Sequence, residues 1–141
     1  FLGNEALFQQ RIDGGHIRDC HGDLYSANIC LADKVYIYDC IEFNQRFRYC
    51  DIASDIAFLV MDLEFYGLDH LARRFIDRFV QATGDHGLRT VLNFYKCYRA
   101  YVRGKIGLFT AADPVVDSAV RAACTQNAAT YFRLAHHYAL T

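Results

Sequence analysis

His21-Gly22-Asp23-Leu24-Tyr25-Ser26-Ala27-Asn28, with Tyr38-Asp39 further on, is the stretch on which the reading of this chain turns. Asp23 and Asn28 stand five apart across a polar loop, and Asp39 lies eleven beyond Asn28. Residues 29–31 and 35–41 are β-branched and aromatic runs, and Ala32-Asp33-Lys34 between them reads as a hairpin turn. Alternation within 35–41 puts Val35, Ile37 and Asp39 on one face and Tyr36, Tyr38 and Cys40 on the other. Folding the hairpin about Asp33 sets position 28 opposite position 38. Asn28 and Asp39 then arrive side by side at its open end, next to the loop that carries Asp23. Two carboxylates and an amide oxygen in a small volume are hard donors. They suit magnesium, which takes one or two protein carboxylates and completes its shell with phosphate oxygens and water. Phosphoryl transfer needs such a set: one Asp to orient an acceptor hydroxyl and take its proton, and an Asn and a second Asp for the metal. A divalent cation also lets two neighbouring carboxylates stay ionised together.

Outward from this loop the periodicity predicts helices. Asn4 can cap a helix over 4–12 that Gly14-Gly15 stops, and residues 17–20 read as a short strand. Asp51 is a candidate N-cap, with Asp55 in the first turn, where its charge suits the helix dipole. Ile52, Ile56, Leu59, Val60 and Leu63 form one stripe of the helix that follows, while Phe58, Met61 and Phe65 lie elsewhere around it. A helix apolar nearly all round belongs at the centre of a domain. A second, amphipathic helix runs from Leu68 to a stop at Gly84. A third runs from Leu88 to an end near Gly104, and a fourth starts at Asp113-Pro114 and continues through Tyr138. The predicted class is α+β, mainly α: a small β-hairpin layer carrying the loop, packed on a helical bundle, with 1–141 a single domain.

Composition limits the functional classes. At 53% hydrophobic and 22% charged, the chain can fill a core and is not a disordered polyelectrolyte. A net charge of -1 argues against a non-specific nucleic-acid binder. The densest apolar run, 52–66, is broken by Ser54, Asp55, Asp62 and Glu64, so no membrane span and no membrane partner are expected. Residues 1–13 lack the pattern of a secretory leader. Cys20, Cys30, Cys40 and Cys50 fall at intervals of ten, with Cys97 and Cys124 later. That spacing has no coordination logic, so free buried thiols in a reducing cytoplasm are expected. His16, His70, His86, His136 and His137 form no ligand set and read as surface or packing residues.

The spacing His-x-Asp, four residues, Asn, a hairpin, then Asp resembles the core of the protein-kinase-like superfamily. It is most similar to the aminoglycoside phosphotransferase and choline kinase branch, which carries His-Gly-Asp in this loop. Ile41-Glu42-Phe43-Asn44, Arg46-Phe47-Arg48-Tyr49 and Asp51-Ile52-Ala53-Ser54-Asp55 resemble the bacterial aminoglycoside phosphotransferase family proteins that often carry a P-loop ATPase domain as well. The resemblance covers residues 15–83 by motif and the rest by helical layout. It implies the C-terminal lobe of a kinase-like protein that transfers the γ-phosphate of ATP to a hydroxyl of a small molecule. Asp23 is then the catalytic Asp, with His21 bracing its loop. Asn28 and Asp39 become magnesium ligands and nucleotide-phosphate contacts. Asp51 caps its helix and holds the catalytic loop. The departure is Asp39-Cys40-Ile41-Glu42, where protein kinases have Asp-Phe-Gly, so a kinase-style switch of this segment is not implied.

Each residue also has a plainer reading. Gly22-Asp23 is ordinary turn chemistry, Asn28 can open a strand and Asp39 can end one. Glu42 can be a metal neighbour, a substrate contact or a solvated strand residue, of which the last is expected. Tyr36, Tyr38, Tyr95, Tyr98 and Tyr101 read as core or rim. No Gly-x-Gly-x-x-Gly or Gly-x-x-x-x-Gly-Lys pattern occurs, and Lys34, Lys96 and Lys105 are the only lysines. A nucleotide-covering lobe is therefore expected to be absent from this chain, which opens on Phe1 and reads as part of something longer. Alone it is expected to show little kinase activity and to self-associate through an uncovered apolar surface near 35–41. Two other classes stay open: a kinase-like binding or regulatory module without turnover, and a metal-dependent phosphohydrolase.

Overall fold

The computed structural model describes residues 3–141; Phe1 and Leu2, with which the stretch read for a leader begins, lie outside the described residues. Helix α1 (Glu5–Asp13) leads to strand β1 (Ile17–Asp19), the loop with a 3-10 turn at Ser26–Asn28, and the hairpin β2 (Ile29–Leu31) and β3 (Val35–Ile37). A short helix α2 (Gln45–Arg48) and strand β4 (Tyr49–Asp51) precede four long helices: α3 (Ile52–Phe65), α4 (Asp69–Thr83), α5 (Leu88–Ala112) and α6 (Ser118–Leu140). The architecture is α+β and mainly helical, as expected. Its β part is two antiparallel pairs. In one, β2 pairs with β3 at Ile29↔Ile37 and Leu31↔Val35. In the other, β1 pairs with β4 at Ile17↔Asp51 and Asp19↔Tyr49.

The second pair was not expected, and it matters for position. It brings β1, just before the loop, against β4, just before α3. The loop is therefore pinned at the start of the central helix.

Helix α3 is that centre. Its residues from Ala53 to Asp62 are all buried. Ile56 and Val60 pack with Ile76 and Val80 of α4 and with Val91 and Leu92 of α5. Phe58 and Met61 pack on the other side with Ala100 of α5 and Tyr131, Ala135 and Tyr138 of α6. Fully burying a side chain such as Ile, Leu, Phe or Met contributes about 1.5–3 kcal/mol, so two filled flanks make α3 the keel of the fold. A charged clamp seals its N-terminus. The buried Arg11 guanidinium of α1 bonds Asp51 Oδ1 at 2.8 Å and Asp85 Oδ1 and Oδ2 at 3.0 and 2.8 Å. Asp51 also accepts from Ala53 N at 2.9 Å, so it is the N-cap expected.

Several boundaries differ from the sequence reading. Strand β3 ends at Ile37 rather than at 41, because Asp39 turns left-handed (φ 63°) and breaks the extended run; the alternation across Asp39 and Cys40 is lost with it. Asn4 makes no side-chain cap at α1, whose first amides bond its carbonyl instead. Helix α5 does not end near Gly104 but continues to Ala112. Gly104 is a point of close approach: a Cβ there would lie 2.9 Å from the Phe132 ring of α6. Helix α6 starts at Ser118, not at Asp113-Pro114. Asp113 Oδ1 instead closes a turn by accepting from Val115 N, and Asp117 Oδ1 caps the helix through Ala119 N at 2.8 Å. The six thiols are free but not buried: Cys30 and Cys40 are exposed, and the other four are half-buried.

Candidate functional site

The loop 21–28 is held from below by carboxylates of α3. Asp55 Oδ2 accepts from His21 N at 2.8 Å and its Oδ1 from Gly22 N at 2.9 Å. Two helical turns on, Asp62 accepts from Ser26 N at 2.9 Å and from the Ser26 hydroxyl. Both carboxylates are buried, and their bonds are charge-assisted, the stronger class of hydrogen bond. Loop-holding was assigned to Asp51 by resemblance; here Asp55 and Asp62 do it, while Asp51 is committed to Arg11 and the α3 cap. Arg99 of α5 grips the loop as well, donating from Nη1 to Gly22 O at 3.0 Å and from Nε to Ser54 O at 3.3 Å.

Gly22 has no substitute in this geometry. Its φ is +84°, and a Cβ would lie 3.0 Å from Ile41 Cδ1 and 3.1 Å from Phe47 O. His21 uses both ring nitrogens on backbone: Nε2 lies 2.8 Å from Tyr38 O, and Nδ1 accepts from Asp23 N at 3.3 Å. The first contact ties the loop to the end of the hairpin and the second shapes the turn around Asp23. The bracing role expected of His21 fits these contacts, and a proton shuttle does not, since neither nitrogen is left over.

Asn28 is buried and donates from Nδ2 to Asp23 O at 3.0 Å, so it too fixes the backbone of the candidate base. Its backbone carbonyl accepts from Tyr38 N at 3.1 Å, which is the pairing of 28 with 38 counted from the sequence. Asp39 is exposed, and its positive φ is uncommon for a non-glycine residue, although Asp tolerates it better than most. Such a conformation turns its side chain out of the strand direction, toward a cavity of about 520 Å³ that Asp23, Asp39 and Glu42 line. Glu42 lies in no strand, contrary to the reading of it as a strand residue; it belongs to the wall of this cavity.

Asp23 lines a second cavity, of about 420 Å³, with Arg46, Arg99 and Arg103 on its walls and Phe58, Tyr98 and Val102 among its apolar surfaces. Asp23, Ile41 and Phe43 are common to both. The carboxyl of Asp23 thus stands on a partition, with carboxylates on one side and guanidinium groups on the other. Burial pushes its pKa above the ordinary carboxylate value, and the Asp39 charge pushes the same way; Arg103, Arg99 and His21 pull it back. A carboxylate raised in this manner is suited to accepting a proton.

For magnesium, the side chains of Asp39 and Asn28 offer a carboxylate and an amide oxygen that accept no hydrogen bond among the described residues, and both donors are hard oxygens. No three His, Cys, Asp or Glu side chains gather into a metal cluster among the described residues. Asn28, buried in the loop, and Asp39, exposed on the cavity wall, are both donors of the class magnesium takes, and they do not make a closed structural site. From the sequence Arg99 and Arg103 were not singled out, Arg46 stood only within the Arg46-Phe47-Arg48-Tyr49 stretch, and Asp62 only as a break in an apolar run. Their signal was faint: Asp62 is a charge inside an apolar helix, and the two α5 arginines stand four apart on one face.

Uncharacterized proteins of Mycobacterium tuberculosis and Mycobacterium bovis are similar to this chain, each 42% identical to it over 105 residues, or 74% of the chain. The chain spans 21% of the length of these relatives. No family model matches it, and no solved structure does. Among the described residues, no helix is long and apolar enough to cross a membrane.

Proposed function

We propose that this chain is the catalytic-loop lobe of a small-molecule phosphotransferase of the protein-kinase-like superfamily, most similar to the aminoglycoside phosphotransferase branch. The observation that carries the reading is the position of Asp23, a single carboxyl shared by an acidic and a basic cavity. In this reading Asp23 is the catalytic base. It accepts the proton of an acceptor hydroxyl that enters from the arginine side, and its raised pKa suits it to hold that proton. His21, Asn28 and Asp55 are positioning residues, since each bonds the backbone of the loop. Asn28 and Asp39 would hold magnesium, which supplies neutralisation of the nucleotide phosphates. Arg99 and Arg103 keep the site from accumulating negative charge as Asp23 and Asp39 face each other.

The donor is ATP and the acceptor a small hydroxyl compound. A cytoplasmic setting is supported by six free thiols, two of them exposed, a pattern suited to a reducing compartment. The test is product analysis on the natural full-length protein with ATP and magnesium. Phosphate on an organic acceptor supports the reading. Free phosphate alone replaces it with a phosphohydrolase, and no product at all replaces it with a binding or regulatory module.

A further inference from the structure

The cavity on the inner side of Asp23 has an unusual charge balance. Arg46, Arg99 and Arg103 line it, and Asp23 is its one acidic residue. None of these three arginines forms an ion pair with a carboxylate among the described residues; the pairs there are made by Arg11, His16, Arg48, Arg89 and Lys96. Arg99 and Arg103 lie half-buried. Arg99 spends two of its five N–H donors on Gly22 O and Ser54 O, which leaves three. Its plane rests on Phe58, and that of Arg103 on Tyr25, at 4.9 Å from each ring centre, so both are held in place before any ligand arrives. The Arg46 side chain bonds nothing among the described residues. Asp23 is the one carboxylate on the wall against three guanidinium groups, and the partly desolvated Arg99 and Arg103 are costly to hold with so little counter-charge unless a ligand supplies more.

We propose that this cavity binds an acceptor bearing an anionic group, a carboxylate or a phosphate monoester, beside the hydroxyl that is phosphorylated. The proposal rests on the reading of Asp23 as the acceptor base. The acceptor oxygen forms a bond to the γ-phosphorus of a nucleoside triphosphate. The bond from that phosphorus to the bridging oxygen breaks, the proton passes to Asp23, and the products are a phosphate ester and a nucleoside diphosphate. Two or more fixed guanidinium groups recognise a carboxylate or phosphate through paired N–H donors. The apolar wall at Phe58, Tyr98 and Val102 suits the carbon skeleton. A polycationic aminoglycoside would set its ammonium groups against three arginines, so the substrate implied by the family name is disfavoured here.

The experiment uses the natural full-length protein and four probes: glucose, gluconate, glucose 6-phosphate and kanamycin. Binding is measured by calorimetry and transfer by mass of the product, at two salt concentrations. At least one of the two anionic probes is expected to bind tenfold or more tighter than glucose, and more weakly at high salt; which of the two wins tells carboxylate from phosphate. Arg46→Gln and Arg103→Gln are each expected to weaken that binding by about 10- to 100-fold, as for a lost charged hydrogen bond, and Arg46→Lys to restore part of it. Arg46 is exposed and bonds no neighbour through its side chain, so its variants keep the fold. Anion binding that depends on these arginines without any transfer upholds the proposal about the cavity while sinking the phosphotransfer reading. Transfer to glucose or kanamycin at a KM equal to or below those of the anionic probes overturns the proposal and leaves phosphotransfer standing. Failure of both anionic probes to bind also overturns it.

Discussion

Helix α3 buries ten consecutive residues, Ala53 to Asp62, whereas every residue of strand β3 is exposed, with Val35 at 61% and its cross-strand partner Leu31 at 78%. Both segments are apolar in sequence. The helical half also pairs charges internally, Arg11 with Asp51 and Asp85 and Lys96 with Glu64 at 2.9 Å, while Asp55 and Asp62 spend theirs on the loop amides. At the seam between the halves the charges stay apart, Asp23 facing Asp39 on one side and unpaired arginines on the other. Stability is thus concentrated behind the loop, and the proposed chemistry lies in front of it. The two regions are expected to respond differently to substitution, and that difference can be broken.

On the phosphotransfer reading proposed above, the largest expected effect is on turnover. Asp23→Ala should lower phosphate transfer by the natural full-length protein about 10²–10⁴-fold, the scale of a positioned general base, while thermal melting shows no loss of fold. Unchanged transfer would move the base elsewhere. Behind the loop, Arg11→Met should leave Asp51 and Asp85 buried without their cation and lower unfolding stability by about 3–5 kcal/mol, read from the urea midpoint. A loss under about 1 kcal/mol, the ceiling for exposed pairs, would mean that the clamp behaves as a surface contact.

The same division decides what could be read in advance. Periodicity located α3 and α4, and the Gly84 stop, because their apolar stripes and one αL glycine are local signals. Counting about Asp33 placed Asn28 beside the end of the hairpin, since a tight turn fixes register. Long-range facts were not legible. Ser54, Asp55, Asp62 and Glu64 showed in the sequence only as interruptions of an apolar run. Their roles depend on loop and helix partners 32 to 74 residues away: His21 and Gly22, Ser26, Arg99, Lys96 and Tyr138. Gly104 read as a stop because glycine disfavours helix, yet the packing of Phe132 onto it overrides propensity. Asp39 leaves the strand in a left-handed conformation (φ 63°) that no local pattern in the sequence announces.

Gly104→Ala tests that last kind of feature. The added methyl would meet the Phe132 ring at 2.9 Å in a tightly paired α5–α6 hairpin. The expected loss is about 1–3 kcal/mol, the usual range for overpacking, despite alanine being the better helix former. A gain in melting temperature would show that the two helices separate easily.

Acid should act with opposite sign on the two regions. Asp85 is held below the ordinary carboxylate value, chiefly by its hydrogen bond from Arg11. Its contribution to stability is present above the unfolded pKa and is lost as pH falls through the lower folded pKa. Asp23 is raised, chiefly by burial, so the folded state binds its proton more readily than the unfolded chain. That favours folding at low pH, and stability declines as pH rises through the unfolded and then the folded pKa. At neutral pH Asp23→Asn should therefore melt above the unsubstituted protein and Asp85→Asn below it, with both differences shrinking toward pH 3. The same sign for both would erase the distinction between core and seam.

The smallest effect on folding is expected in the hairpin itself. Leu31, Val35 and Ile37 lie on one face, because cross-strand partners and alternate residues share a side of a sheet. Val35 and Ile37 are both more than half exposed. With that much of both side chains in solvent, Ile37→Lys should change unfolding stability by no more than about 0.5 kcal/mol, as for a surface site. Its effect should appear in association instead. An apolar strand face open to solvent invites pairing with another surface, and lysine on such a strand is a common way to prevent it. Sedimentation of this chain at rising concentration should show self-association that Ile37→Lys abolishes while the melting curve stays in place. If Ile37→Lys instead unfolds the chain, the hairpin is as integral to the core as α3. If the unsubstituted chain stays monomeric, the exposed face is tolerated as it stands and needs no cover.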